Sequence, residues 1–186
     1  MVTFCFTVWR WSQLQRPART PAAATAVLPP RFSAWTNSGG NSSPAHTVLN
    51  RQGVLWFTRQ NGVYGRLDTQ SGMIAVFNAP RCTGPYGIAA TPEGQVFFAS
   101  LAGSYLGRID VNTGINTVLE PPVPRQSARR VWSDNHGALW ITGWNSGDLF
   151  RYDSKTNSWR RWHLPGDRPQ PHAVYVDDTD AVWVSD

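Results

Sequence analysis

Four positions in this chain carry side chains able to hold a ligand or move a proton, each at a fixed distance from an aromatic. His46, Tyr86, Arg129 and His172 stand 10 or 11 residues before Trp56, Phe97, Trp140 and Trp183. An imidazole that titrates near neutrality is suited to taking a proton from the carbon next to a carbonyl. A cation beside it would stabilise the enolate that develops. The plainer account of the column is that its side chains fill and hydrate the mouth of a channel. That account suffices for His46, Tyr86 and Arg129; for His172 both accounts stand. Trp144, just past an apolar triplet, is the tryptophan expected to face a ligand, and with the column it would form a rim suited to a pocket for a small-molecule ligand.

Other chemistry is absent from the sequence. There is no P-loop, no H-E-x-x-H, no C-x-x-C and no EF-hand loop. Cys5 and Cys82 lie in unrelated contexts and argue for neither a disulfide framework nor a metal site. Asn41-Ser42-Ser43 is a formal glycosylation sequon in a stretch with no assigned structure.

The elements that must position the column repeat. Apolar triplets centred on an aromatic recur as Leu55-Trp56-Phe57, Val96-Phe97-Phe98, Leu139-Trp140-Ile141 and Val182-Trp183-Val184, at intervals of 41, 43 and 43 residues. Arg66-Leu67-Asp68, Arg108-Ile109-Asp110 and Arg151-Tyr152-Asp153 keep step, with aspartates 42 and 43 residues apart. Periods of this size mark solenoids or propellers. Within one period the pattern predicts four short strands of decreasing hydrophobicity, closed by Pro80, Pro121 or Pro165. Proline lacks a ladder N–H and suits a position just beyond the outermost strand. The expectation is an all-β propeller of four-stranded antiparallel blades. In it, Asp68, Asp110 and Asp153 cap hairpin turns, Arg66, Arg108 and Arg151 pair on the blade surface, and Trp56, Trp140 and Trp183 pack between blades.

Three complete repeats run from about residue 45 to 165 (blades 45–80, 81–124 and 125–165), and the fourth, 166–186, holds two strands. Propellers close with about four to eight blades. The chain therefore reads as a fragment of a larger ring, with an exposed edge strand in its last blade that would favour aggregation or partner pairing. Residues 1–44 do not share the repeat. They read as a leader that is disordered, a degenerate export signal or a mispredicted start, the last two being preferred. A cytoplasmic location would follow if the leader is spurious, and export if a true signal lies upstream.

The formal charge of +5 is confined to the front of the chain: residues 1–67 hold seven arginines and no acid, whereas residues 68–186 carry a net charge of −2. The repeats thus lack the basic face that nucleic-acid binding requires. No apolar run approaches the ~18 residues of a membrane-spanning helix.

Pro85-Tyr86-Gly87-Ile88, Leu55-Trp56-Phe57-Thr58, Leu106-Gly107-Arg108-Ile109-Asp110 and Thr113-Gly114 together resemble the repeat of the streptogramin B lyase, or virginiamycin B lyase-like, family. The likeness covers residues 44–186. It implies a ring of about seven blades, monomeric when complete, that linearises a cyclic depsipeptide antibiotic by Mg²⁺-assisted elimination at its ester bond, and with that a role in antibiotic resistance. It also implies a proton-transferring histidine in a P-H-A-I motif, here Pro171-His172-Ala173-Val174, and acidic residues at the metal. The family's acid three residues after the aromatic falls here on Arg59, Ser100, Gly143 and Asp186, so Asp186 is the one candidate metal ligand in that column. The acid two residues before the histidine is replaced by Gln170, and the preceding blade offers Arg129 instead of a second histidine. The site is incomplete as written, and this chain alone is expected to be inactive. Two alternatives remain: a non-catalytic propeller that binds a protein or glycan, and a lactone hydrolase of the gluconolactonase type, whose Glu, Asn and Asp ligand set is not identifiable here.

Overall fold

The computed structural model of the protein describes residues 45–81 and 84–186. The leader, the sequon and both cysteines lie outside the described residues. The described residues form fourteen strands. The first blade is β1 (His46–Leu49), β2 (Val54–Arg59), β3 (Val63–Asp68) and β4 (Ile74–Asn78). The second is β5 (Pro85–Ala90), β6 (Val96–Ser100), β7 (Tyr105–Ile109) and β8 (Asn116–Leu119). The third is β9 (Ala128–Ser133), β10 (Leu139–Gly143), β11 (Asp148–Asp153) and β12 (Ser158–His163). A two-stranded sheet of β13 (Ala173–Val176) and β14 (Val182–Ser185) begins a fourth. Every sheet is an antiparallel meander in chain order, the architecture predicted from the repeat.

The core lies between blades, which explains why the second strand of each repeat is apolar on both faces. All five residues of β6 and of β10 are buried. One cluster joins Phe97, Ala99 and Leu106 of the second blade to Leu139, Ile141, Phe150 and Tyr152 of the third. Another joins Trp56 and Tyr64 of the first blade to Val96, Phe98 and Tyr105 of the second. Burying a side chain such as Phe97 or Phe150 contributes about 2–3 kcal/mol. The outer strands are the more exposed ones, as Ser158, Arg160, Arg161 and His163 of β12 show.

The recurrent aspartates cap their hairpins as predicted. Asp68 Oδ1 accepts the amides of Gln70 and Ser71, Asp110 Oδ1 those of Asn112 and Thr113, and Asp153 Oδ1 those of Lys155 and Thr156. These bonds favour the carboxylate and hold all three groups below the usual range. The arginines beside them are used in different ways. Arg151 lies 3.8 Å from Asp153, whereas Arg66 Nη1 crosses to the next blade and donates to the carbonyl of Val111 at 2.7 Å. Trp56 and Trp140 are buried, but Trp183 is 40% exposed. This corrects the expectation for Trp183: Trp140 is covered by Val174, Val176 and Val182 of the following sheet, and among the described residues no further sheet follows β14 to cover Trp183 in the same way.

Candidate functional site

The first strand of each sheet starts at the same end of the molecule, and the four column residues sit at or just before those starts. The structure brings them together. The rings of His46 and Tyr86 meet edge to face with centroids 4.6 Å apart. The Arg129 guanidinium carbon stands 5.2 Å from the Tyr86 ring centre and 4.4 Å from that of Trp144. Trp144 in turn meets His172 edge-on at 6.2 Å. A continuous strip of side chains therefore links all four sheets along one rim.

A fifth side chain joins them that the period-two pattern hid. Arg130 lies 5.5 Å from the centre of the Tyr86 ring, and its Nη1 is 2.7 Å from both ring nitrogens of His46. Neighbouring residues of a regular strand point to opposite faces, so Arg129 and Arg130 should diverge. They do not, because β9 bulges here: Ala128 pairs with Gly143 and Val131 with Ile141, leaving Arg129 and Arg130 together opposite Thr142. The Arg130 amide is held by Thr142 Oγ1 at 3.0 Å. β5 carries the same bulge, with Tyr86 and Gly87 opposite Ala99. Gly87 thus occupies the place that Arg130 has in the next blade, and a Cβ built on Gly87 would stand 2.8 Å from Arg130 Cα.

The rim is anchored from behind. Ser127, at φ 54°, presents its carbonyl to the Trp144 amide at 3.0 Å and its hydroxyl to Asn145 Nδ2 at 2.7 Å. A non-glycine residue in the left-handed region costs free energy that the surrounding bonds must offset. Here they fix the indole of Trp144 over Arg129. In the fourth sheet, the His172 amide donates to the carbonyl of Ser185 at 2.7 Å.

Both imidazoles are biased toward the neutral form. Burial lowers the His46 pKa to about 4, helped by the charges of Arg130, Arg129 and His172. His172 is lowered first by loss of solvent and then by the charges of Arg129 and Arg130. The lone pair of His46 faces Arg130. His172 is exposed at the strip's end and shares no such bond among the described residues, so its lone pair is available to a ligand.

A hard divalent cation takes oxygen ligands, with carboxylates foremost. In the column where an acid was expected, Arg59 and Ser100 are buried and Gly143 has no side chain. Asp186 Oδ1 accepts the amide of Gln170. The buried carboxylate of Asp148 is engaged by Arg161 Nε at 3.0 Å and His163 Nδ1 at 3.1 Å. Among the described residues no three His, Cys, Asp or Glu side chains gather into a metal-binding group. With two guanidinium groups on the rim, these residues do not fit Mg²⁺.

A polar cleft of about 390 Å³ opens at the opposite end of the first two blades, lined by Gln52, Glu93, Arg108 and Asp110 among others. Its walls come from turns and from the adjoining residues of β7 and β8, and none of the column residues lines it. Among the described residues no helix is long and apolar enough to cross a membrane.

Comparison with known proteins agrees with this architecture. A solved streptogramin B lyase superposes with a TM-score of 0.72 at 24% identity, over 81% of this chain and 50% of that one. A catalytically inactive histidine-to-alanine variant of virginiamycin B lyase from Staphylococcus aureus, crystallised with quinupristin, gives a TM-score of 0.70 at 23% identity, over 80% and 50% of the two chains. The calcium-binding protein regucalcin from Agrobacterium tumefaciens is also similar, with a TM-score of 0.54 at 20% identity over 72% and 48%. At these identities the likeness establishes the fold, and the chain spans about half the length of the solved lyases. No curated protein sequence matches significantly. The model of the virginiamycin B lyase family matches residues 32–186, so the chain belongs to the virginiamycin B lyase family.

Proposed function

We propose that the strip from His46 to His172 is the ligand-binding rim of a lyase that opens a cyclic depsipeptide of the streptogramin B type by elimination. The observation that carries this reading is an exposed imidazole, His172, next to an indole and a guanidinium at one rim of the propeller, in surroundings that favour its neutral form. In the relative crystallised with quinupristin, replacing a histidine abolishes catalysis, which supports a histidine-dependent reaction in the family.

The chemistry balances without water. The His172 imidazole takes the proton from the carbon next to a carbonyl of the ligand. The electron pair left behind forms a carbon–carbon double bond, the adjacent carbon–oxygen bond of the ester breaks, and the carboxylate leaves. The imidazolium then returns its proton to solvent. His46 is less suited to this step because Arg130 holds its lone pair at 2.7 Å. The faces of Tyr86 and Trp144 offer apolar area for the ring of the ligand. No step is routed through magnesium, because the described residues do not fit it.

Product analysis separates this reading from its rivals. Incubation of the chain with quinupristin should give binding, and any product should be a linear molecule of unchanged mass that contains a dehydrated residue. Substituting His172→Ala should abolish the product and leave binding in place. A product that gains the mass of one water would establish a lactone hydrolase instead. Failure of quinupristin to bind would leave a non-catalytic propeller.

A further inference from the structure

We infer that Arg129 and Arg130 form a carboxylate-binding site in the region where a lyase of this family is expected to present a divalent cation. The inference rests on the proposed elimination for its biological ligand, the carboxylate released when the ester breaks. It stands on geometry of its own.

Three observations converge. The bulge in β9 delivers two successive arginines to one side of the strand, an arrangement a regular strand cannot produce. Both guanidinium groups lie against aromatic rings, Arg129 against Tyr86 and Trp144 and Arg130 against Tyr86. Such contacts set the plane of a guanidinium and leave N–H groups for a planar, two-oxygen acceptor, although on Arg130 the Nη1 group is already turned to His46. Neither arginine forms an ion pair with a carboxylate among the described residues, and the buried Nε of Arg129 has no hydrogen-bond partner there. Three other arginines of the blades, by contrast, have their anion within the chain: Arg81 pairs with Glu120, Arg151 with Asp153 and Arg161 with Asp148. The rim pair is thus a built cationic site whose matching anion is not supplied by the described chain.

The same arrangement explains what happens to the charge in the proposed reaction. Two guanidinium groups can accept the negative charge that grows on the departing carboxylate, the service a Lewis-acidic ion would otherwise supply. They also hold the product's new carboxylate at the rim. The substrate's ester is neutral, so the preference is for the charge-developing state over the ground state.

The test uses the whole chain and sodium malonate, a dicarboxylate of matching charge, with magnesium chloride in a parallel titration at constant ionic strength. Calorimetry should show saturable malonate binding and no saturable heat from magnesium. Affinity for malonate should fall at least tenfold in Arg129→Ala. The drop should be smaller in Arg129→Lys, which keeps the charge and loses the fork, and this second variant guards against a folding defect. Saturable magnesium binding with no malonate binding would overturn the inference. So would malonate affinity unchanged in both variants. Malonate binding without quinupristin binding would leave the carboxylate site standing and remove the proposed substrate. Quinupristin opening that needs magnesium, without malonate binding, would do the reverse.

Discussion

Gly87 is the position at which packing between blades and the rim meet, and substituting it with alanine makes the sharpest forecast. A Cβ there would stand 2.8 Å from the carbonyl oxygen of Arg129, 2.8 Å from Cα of Arg130 and 2.9 Å from the amide nitrogen of Val131. All three atoms are backbone of β9, so no side-chain rotation relieves them. Ordinary contact begins near 3.4 Å, so β5 and β9 must part by about half an ångström. The φ of Gly87 lies outside the left-handed region, and alanine fits the local backbone. The whole cost therefore comes from crowding, which in packed interiors is about 1–3 kcal/mol. For a chain of this length that corresponds to a fall in Tm of about 3–10 °C. Because the strand pushed aside is the one that carries Arg129 and Arg130, malonate affinity should fall along with stability. Urea unfolding and malonate calorimetry on the Gly87→Ala variant measure the two effects. Stability within about 0.5 kcal/mol of the parent, the range of a neutral surface change, together with unaltered malonate affinity, would refute the reasoning.

Other expectations follow from the same geometry. The His46 pKa is depressed in the folded protein to about 4 from an ordinary 6.5, so between these values the unfolded chain binds more protons and stability is lost as pH falls. With solvent screening at a half-buried site the loss is about 1–2 kcal/mol, and urea unfolding at pH 7 and pH 4.5 should show a shallower pH dependence in His46→Gln. An identical dependence in both proteins would contradict this. Asp134 is buried and accepts the indole N–H of Trp140 at 3.0 Å and the amides of His136 and Ala138 at 3.0 and 2.8 Å. Asp134→Ala strands these donors and should cost about 3 kcal/mol or more in urea unfolding, since each lost bond to a charged group is worth about 1.5–3 kcal/mol. The equivalent Asp177→Ala, whose partner Trp183 is exposed, should cost less. Trp144→Ala removes one wall of Arg129 and should weaken quinupristin binding in a calorimetric titration, and His172→Ala should not.

Much of this molecule was legible in the sequence because the repeat reports two landmarks with one period. The apolar triplets became β2, β6, β10 and β14, and the aspartate turns became capped hairpins. The placement of His46, Tyr86, Arg129 and His172 on one rim followed from their spacing of 10 or 11 residues to the aromatic. Arg130 did not follow, since alternation assigns it to the other face and only the β9 bulge returns it. Its one sequence signal was the equivalence of Tyr86-Gly87 with Arg129-Arg130, a glycine where a neighbouring strand approaches. The Asp-to-Trp bonds were also written at a spacing of six residues, in Asp134 and Trp140 and again in Asp177 and Trp183. In the second blade the same places hold Thr91 and Phe97, which has no indole N–H to satisfy. The exposure of Trp183 could not be read from its own repeat, because burial there depends on strands outside that repeat's two.

The most direct test of the account is hydrogen exchange of the chain with and without quinupristin. Protection confined to the amides around His46, Tyr86, Arg129, Arg130, Trp144 and His172 is the predicted result. Protection centred on the turns around Gln52, Glu93 and Asp110, at the opposite end of the blades, would contradict it.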